Sequence, residues 1–488
     1  MREISGRPIK LTLVLTAICA IVATVALCDL AVKSAVDFNP GWDGLAYHLP
    51  FAARWAGLSV PFEMNERLLL RFEGFPPLPE LVQGLLWRLS GSVNATGTLN
   101  ILALGLFLVY CHKVLRAAFW LVALISLTAP IVLIHMTVGY VDAFANAFMA
   151  IGASSCLSMH LFPERRSRAV LVGGLTGLAL AAWSKSLLVP LVVVMFVLMA
   201  LVVLRRAASS PGRREATVLI LVFASLAAVP YVKNLAFYHN PFWPERVPII
   251  GALFPYVEDA ATAGTTDNRP LSLVGSPQAL VFAKSLFEID VPTSNSPRWV
   301  LDQGFAGDGF RMGGFWGLGV ILFVLLAAGL LIACCGRRGV VASITGAGVM
   351  CLVAVLPQSN ELRYYMFIPL TWAAAIGMMH PILMARHPRA GAGLLVLILA
   401  LFGYVASENV VYYETRFFEY HDAAVAYGAS DWWPRLRQGE RYCVVQMPYE
   451  SLMMTGPTMS EYSIVDRSDP SLCPAGTVVV TADGIQAR

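Results

Sequence analysis

Charge is what this sequence has least of. Asp, Glu, Lys and Arg make up 14% of the 488 residues and 57% are hydrophobic, against about 25% charged residues in an average soluble domain. With a mean hydropathy of +0.66, that shortage excludes a soluble globular protein, and the many apolar runs read as membrane spans. The net charge is +4, and the basic residues are scattered among short connections rather than gathered on one face, which argues against nucleic-acid binding. No Cys-x-x-Cys pair and no Cys/His metal spacing occur, which argues against a zinc site. No internal repeat is present, which weakens an inverted-repeat transporter. The first apolar run, Leu11–Cys28, follows Arg2, Arg7 and Lys10, but no small-x-small cleavage site closes it, and Leu27 is too large to precede a lipoprotein cysteine. It reads as an uncleaved first span.

Eleven spans are predicted: Leu11–Cys28, Val93–Tyr110, Ala117–Ile134, Val141–Ser158, Ala169–Ala182, Leu187–Leu204, Thr217–Tyr231, Gly314–Cys334, Val340–Leu356, Tyr365–Met384 and Ala392–Ala406. Short basic connections (His112-Lys113 with Arg116; Arg165-Arg166 with Arg168; Arg205-Arg206 with Arg213-Arg214; Arg337-Arg338; Arg386 with Arg389) alternate with acidic ones. Positive charge stays cytoplasmic, so the N-terminus is expected inside. The run Ala169–Leu204 tests this scheme. As one helix it would be about 54 Å long, too long for a single crossing of a core about 30 Å thick. Both its flanks are basic, so a hairpin is predicted, with its tip at Trp183-Ser184-Lys185-Ser186 and Lys185 at the outer surface.

Residues 29–92, 232–313 and 407–488 then fall outside. The first carries apolar residues at helical spacing (Leu45, Leu49, Ala52, Ala53; Leu78, Leu81, Val82, Leu85, Leu86), which predicts amphipathic helices along the interface, with Trp42, Trp55 and Trp87 at its depth. The last contains strand-like runs at Tyr442–Gln446, Ser463–Val465 and Thr477–Thr481. The fold class is therefore an all-α polytopic membrane protein, with residues 1–406 as the membrane module and 407–488 as a small α/β outer domain. Seven cysteines lie in or beside apolar runs and read as packing residues. Cys443 and Cys473 lie in the outer tail, an oxidising compartment in a bacterial periplasm, and are expected to form a disulfide.

This topology places acids and bases from separate parts of the chain at one surface. Asp43, Tyr47 and His48 lie in Trp42-Asp43-Gly44-Leu45-Ala46-Tyr47-His48, followed by Glu63, Glu66, Glu73 and Glu80. Asp142 opens the fourth span, Lys185 sits at the hairpin tip, Lys233 and Asn234 leave the seventh span, and Arg363 and Tyr364 enter the tenth. Such a set suits an anionic, membrane-bound substrate. Lys185, Lys233 and Arg363 would hold phosphate, and Asp43 would take a proton or bind a metal.

Several segments, in order, resemble the GT-C superfamily of integral-membrane glycosyltransferases, in particular the bacterial protein-mannosyltransferase and aminoarabinose-transferase-like group. Asp43-x-x-x-Tyr47-His48 resembles the acidic motif of the first outer loop, and Phe75-Pro76-Pro77-Leu78-Pro79-Glu80 the Pro-Pro segment after it. Gly139-Tyr140-Val141-Asp142 is similar to the second acidic site, and Gly177-Leu178-Ala179-Leu180 with Ser184-Lys185 to the glycine-and-lysine hairpin. Lys233-Asn234 with Asn240-Pro241-Phe242-Trp243-Pro244 resembles the late Asn-Pro stretch, and Arg363-Tyr364 the arginine-tyrosine motif. The resemblance covers about residues 30–370. It implies inverting transfer of one sugar from a polyprenyl-phosphate donor to a lipid, glycan or protein acceptor, at the periplasmic face of a bacterial inner membrane. It also implies Asp43 as base or metal ligand, Asp142 as second acid, and Lys185 and Arg363 as the cations that neutralise the departing phosphate. Where many members carry an Asp-Glu pair, Asp43 is followed by Gly44. A divalent ion (Mg, Mn or Ca) on Asp43 and Asp142 therefore stays open, with His48 or Glu80 as replacements for the missing Glu.

Each residue also has a structural reading. Asp43 and Asp142 suit helix caps, Lys185 a snorkelling side chain, Arg363 an interfacial anchor, Glu80 a solvated helix face, and His48 a satisfied loop histidine. A flippase of polyprenyl-linked glycans would need charges deep within several spans, whereas here they gather at one surface. An O-antigen-ligase-like enzyme would place its basic residues and a histidine in one late loop.

Overall fold

A computed structural model of the chain describes residues 7–39, 41–58, 62–64, 66–165, 167–204, 211–246, 251–258, 273, 275–289, 299, 305–306, 309–310, 314–416, 437, 439–445, 463–467, 469–481 and 484–486. Helices dominate: α1 (Arg7–Val36), α2 (Leu49–Trp55), α3 (Glu66–Gly74), α4 (Leu78–Ser90), α5 (Thr98–Lys113), α6 (Phe119–Thr128), α7 (Pro130–His135), α8 (Asp142–Leu161), α9 (Arg168–Ala182), α10 (Val189–Leu204), α11 (Pro211–Tyr238), α12 (Gln278–Phe287), α13 (Gly317–Cys335), α14 (Arg337–Val355), α15 (Phe367–Arg386) and α16 (Pro388–Glu408).

Among the described residues nine helices are long and apolar enough to cross a membrane, where the sequence predicts eleven spans. The third and fifth expected spans are the two that differ. The third breaks after Thr128, because Pro130 has no N–H to continue the helix and drives Ala129 to an extended backbone (φ −81°, ψ 109°). The fifth, α9, has 15 residues and forms a hairpin with α10 that turns at Trp183–Lys185, as the charge pattern predicts. The three amphipathic helices α2 to α4 lie between the first two spans.

Helix α8 is central, with 89% of its 18-residue apolar window buried. Glycines let it approach α9 closely. A Cβ at Gly177 would fall 2.7 Å from the Phe148 carbonyl, and one at Gly152 would fall 2.3 Å from Leu178 Cδ2. This antiparallel contact brings the C-terminal end of α9, and hence Lys185, beside the N-terminus of α8.

Four tail strands, β4 (Arg441–Val445), β5 (Ser463–Arg467), β6 (Val478–Thr481) and β7 (Gly484–Gln486), build a sheet in the order β5-β4-β6-β7, parallel except for β7. A two-residue strand β1 (Phe62–Glu63), between α2 and α3, adds beside β5, with Phe62 opposite Ile464. A separate pair, β2 (Phe305–Ala306) and β3 (Gly309–Phe310), is antiparallel. Cys443, in β4, and Cys473 are disulfide-bonded and pack with Val445 and Val479.

Candidate active site

The site is held by buried amides. Asn100, in α5, donates to the carbonyls of His135 (2.8 Å) and Tyr140 (2.6 Å) and accepts from the Phe144 N–H (3.0 Å). It thereby fixes the chain that leads into α8. Gln83 donates to the Gly139 carbonyl at 2.9 Å. One turn past Asp142, Asn146 accepts from the Phe367 N–H (2.9 Å) and donates to the Arg363 carbonyl (3.2 Å), which ties the start of α15 to α8. Buried side-chain amides with several partners lock backbone position, and a loose one would be costly.

On this frame, two ion pairs meet beside a cavity of about 350 Å³. Arg363 Nη1 donates to Asp43 Oδ2 at 2.8 Å, Nε to Glu361 Oε2 at 3.0 Å, and Nη2 to the Tyr364 hydroxyl at 2.9 Å. Lys185 pairs with Asp142 Oδ1, and its ammonium also lies 4.0 Å from the centre of the Tyr364 ring. The Asp43 N–H donates to the Tyr140 hydroxyl at 3.2 Å, and the Tyr140 ring stands 5.2 Å from the Arg363 guanidinium. Asp43 makes no side-chain capping bond, so it does not act as the helix cap that its position also suggested. Lys185 and Arg363 are mostly buried, with side chains 18% and 14% exposed, which suits neither snorkelling nor interfacial anchoring.

Behind Asp43, His48 Nδ1 and Glu80 Oε1 are 2.7 Å apart and buried, so Glu80 does not lie on a solvated face. Tyr47 packs between His48 and Phe51, with ring centres 4.2 and 5.8 Å away. Burial, and after it the Asp43 charge, holds the Tyr47 hydroxyl well above its ordinary pKa, so it stays protonated. Asp43, Tyr47, His48, Glu80, Lys185, Arg363 and Tyr364 all line the cavity. Asp142 sits directly behind Lys185, fully buried.

Lys233 and Asn234 depart from the expectation that they join this set. Lys233 Nζ donates to the Glu73 carbonyl, Asn234 Nδ2 donates to the Gly74 carbonyl at 2.7 Å, and neither lines the cavity. The chain after α11 packs so tightly on the end of α3 that a Cβ at Gly74 would fall 2.2 Å from the Trp243 carbonyl. The two residues therefore secure α3 rather than meet a phosphate at the cavity.

What α3 carries is Arg71, a cavity-lining cation absent from the sequence-based set. Its Nη2 and Nε donate to Glu258 at 2.6 and 2.8 Å. Burial pushes the Glu258 carboxyl up, but the Arg71 hydrogen bonds and charge outweigh it and leave the group below its usual range. Glu245 and Glu361 behave oppositely. Burial raises both, and for Glu245 the Glu258 charge adds to it. Glu361 and Tyr140 were also missed as site residues, although each lies within two residues of one that was named.

Among the described residues, the two carboxylates expected to hold a divalent ion are engaged elsewhere. Asp43 and Asp142 are each already paired with a cation, and among the described residues no group of three or more His, Cys, Asp or Glu is poised to hold an ion.

No family model matches this chain, and no curated protein matches it. Among solved structures it is similar to ArnT from Cupriavidus metallidurans in the apo state, at 16% identity over 93% of this chain and 86% of that one, with a TM-score of 0.38. It is also similar to ArnT from Cupriavidus metallidurans bound to undecaprenyl phosphate, at 16% identity over 96% and 90%, with a TM-score of 0.39. Similarity at this level is a loose likeness in the path of the chain.

Proposed function

We infer that the protein is an integral-membrane glycosyltransferase that moves one sugar from a polyprenyl-phosphate donor to a lipid, glycan or protein acceptor at the outer face, by inverting transfer. The observation that carries this reading is the meeting of Asp43–Arg363 and Asp142–Lys185 around Tyr364 on one cavity wall. The motif resemblance supports it from the sequence side.

In this reading the donor phosphate competes with Asp43 for Arg363 and with Asp142 for Lys185. Arg363 offers a planar fork and Lys185 a point charge, which together suit a phosphate diester. Once Arg363 turns to the phosphate, Asp43 is released as a base. The acceptor hydroxyl oxygen attacks the anomeric carbon, its proton passes to Asp43, and the bond from that carbon to the phosphate oxygen breaks. Polyprenyl phosphate leaves with its new negative charge held by Arg363 and Lys185, already in place where that charge develops. Helices α2 to α4 roof the cavity and limit water.

The test is transfer of radiolabelled sugar from a panel of polyprenyl-phosphate sugars, using the full-length protein in vesicles. Asp43→Asn keeps the shape and the hydrogen bond to Arg363 but cannot take a proton. Transfer is expected to fall by roughly 10²- to 10⁴-fold with folding intact. Equal transfer by both proteins would remove Asp43 from the chemistry, and donor binding without transfer by the wild type would overturn the enzyme reading.

A further inference from the structure

A second cavity, of about 610 Å³, lies at the other end of the helix bundle. Its lining includes His112, Lys113 and Arg116, at and just past the C-terminal end of α5, Trp120 in the first turn of α6, and His380 in α15. Thirteen residues of helix separate Phe367, beside the charged cavity, from His380, a rise of about 20 Å. The lining residues Thr16 and Cys19 likewise sit about 30 and 26 Å along α1 from its C-terminal end.

The basic connection is drawn onto α15 at one point. The Ala118 N–H donates to the Gly377 carbonyl at 3.0 Å, and a Cβ on Gly377 would fall 2.4 Å from Val122 Cγ2. The missing side chain is what allows the approach. One helical turn further on, His380 lies beneath the basic connection.

His380 is 8% exposed, and its Nε2 is buried with no hydrogen-bond partner among the described residues. A buried polar nitrogen left unpaired costs free energy that an apolar side chain would not. Below an open basic rim it has the position of a group awaiting a ligand. Lys113 and Arg116 are exposed, so the rim offers two permanent positive charges and the floor an imidazole nitrogen. The walls are apolar, with Cys19, Leu121 and Leu395 buried.

We propose that this cavity binds a phosphate-bearing anion, separate from the charged cavity and independent of the reaction inferred there. Lys113 and Arg116 hold the anion, and the His380 ring, with its Nε2 as donor or acceptor, fixes a polar group below it. A phospholipid headgroup and a soluble phosphate share this chemistry. The apolar residues that α1 and α16 give to the lining, Cys19 and Leu395, are the surface that acyl chains of the lipid would meet.

The test uses the full-length protein in nanodiscs of neutral lipid. Phosphatidylglycerol is titrated into the discs in one arm and inorganic phosphate into the buffer in the other. Native mass spectrometry counts retained lipid, and the thermal midpoint reports binding. Compared are the wild type, Lys113→Gln/Arg116→Gln, His380→Leu, and Arg337→Gln/Arg338→Gln, which removes the same charge from another basic connection. Loss of the rim charges is expected to weaken binding roughly tenfold, while the Arg337/Arg338 pair changes it less than about twofold. His380→Leu is expected to weaken binding while leaving the ligand-free midpoint equal or higher. A response to phosphatidylglycerol alone identifies a lipid site, and one to both probes identifies a phosphate site. No response to either probe, equal loss in the two double variants, or unchanged binding in His380→Leu overturns the proposal.

Discussion

Arg363 spends three sides of its guanidinium on three different acceptors: the distant Asp43 carboxylate, the glutamate two residues before it, and the hydroxyl of its neighbour. A lysine has the charge but not the fork, and its single ammonium cannot face Asp43, Glu361 and Tyr364 in this plane. Arg363→Lys is therefore expected to lower transfer roughly 10²- to 10³-fold, as the loss of one well-placed charge-stabilising group does. Initial rates at saturating and limiting donor check it, and wild-type rates in the variant would show that charge alone suffices. Asp43, Lys185 and Arg363 were legible because hydropathy and charge put them on one surface. Arg71 was not, since nothing in its local sequence names Glu258, a partner 187 residues away, and the part played by Glu361 and Tyr140 shows only where Arg363 folds onto both. The misplacement of Lys233 has the same origin: sharing a surface does not fix a direction, and the Glu73 carbonyl is nearer than the cavity.

At the scale of elements, α3 and the segment ending at Glu258 are joined through that one carboxylate, which pairs with the partly buried Arg71 and the exposed Arg67. Because the Glu258 carboxyl sits below its free value, the contact stabilises fully above the unfolded-state pKa. It is lost as the pH falls through the lower folded-state value. Hydrogen exchange is expected to show residues 66–74 and 251–258 losing protection together below about pH 4, the ordinary glutamate range. Glu258→Gln should show that loss already at neutral pH, and protection in α3 that stayed unchanged in the variant would mean that Lys233 and Asn234 hold it alone. Long elements were the readable ones. The nine spans follow from sustained apolar runs, and the α9–α10 hairpin follows from length and flanking charge. The break between α6 and α7 had a visible signal in Pro130, outweighed by the continuous apolar run around it. Strand β1 had none, because two residues carry no periodicity and its pairing depends on a strand some 400 residues later.

For the molecule as a whole, the fold has to join its first helix to the chain that follows its last. It does so through charge buried at the end of α1. Lys33 and Asp37 pair one turn apart, Lys33 also donates to the Glu414 carbonyl at 2.6 Å, and the Arg416 N–H donates to Asp37 at 3.3 Å. Both charged side chains are nearly inaccessible, at 3% and 1% exposed. Two ions taken out of water recover their desolvation cost only together. Lys33→Met strands the Asp37 carboxylate and is expected to cost roughly 3–5 kcal/mol, whereas Lys33→Met/Asp37→Leu removes both charges and should regain most of that loss. Thermal unfolding in detergent separates the cases. A double variant as unstable as the single one would assign the cost to the lost Glu414 and Arg416 contacts rather than to the stranded charge. Recovery in the double variant would show that the pair serves specificity, fixing where the C-terminal segment leaves the bundle, more than stability.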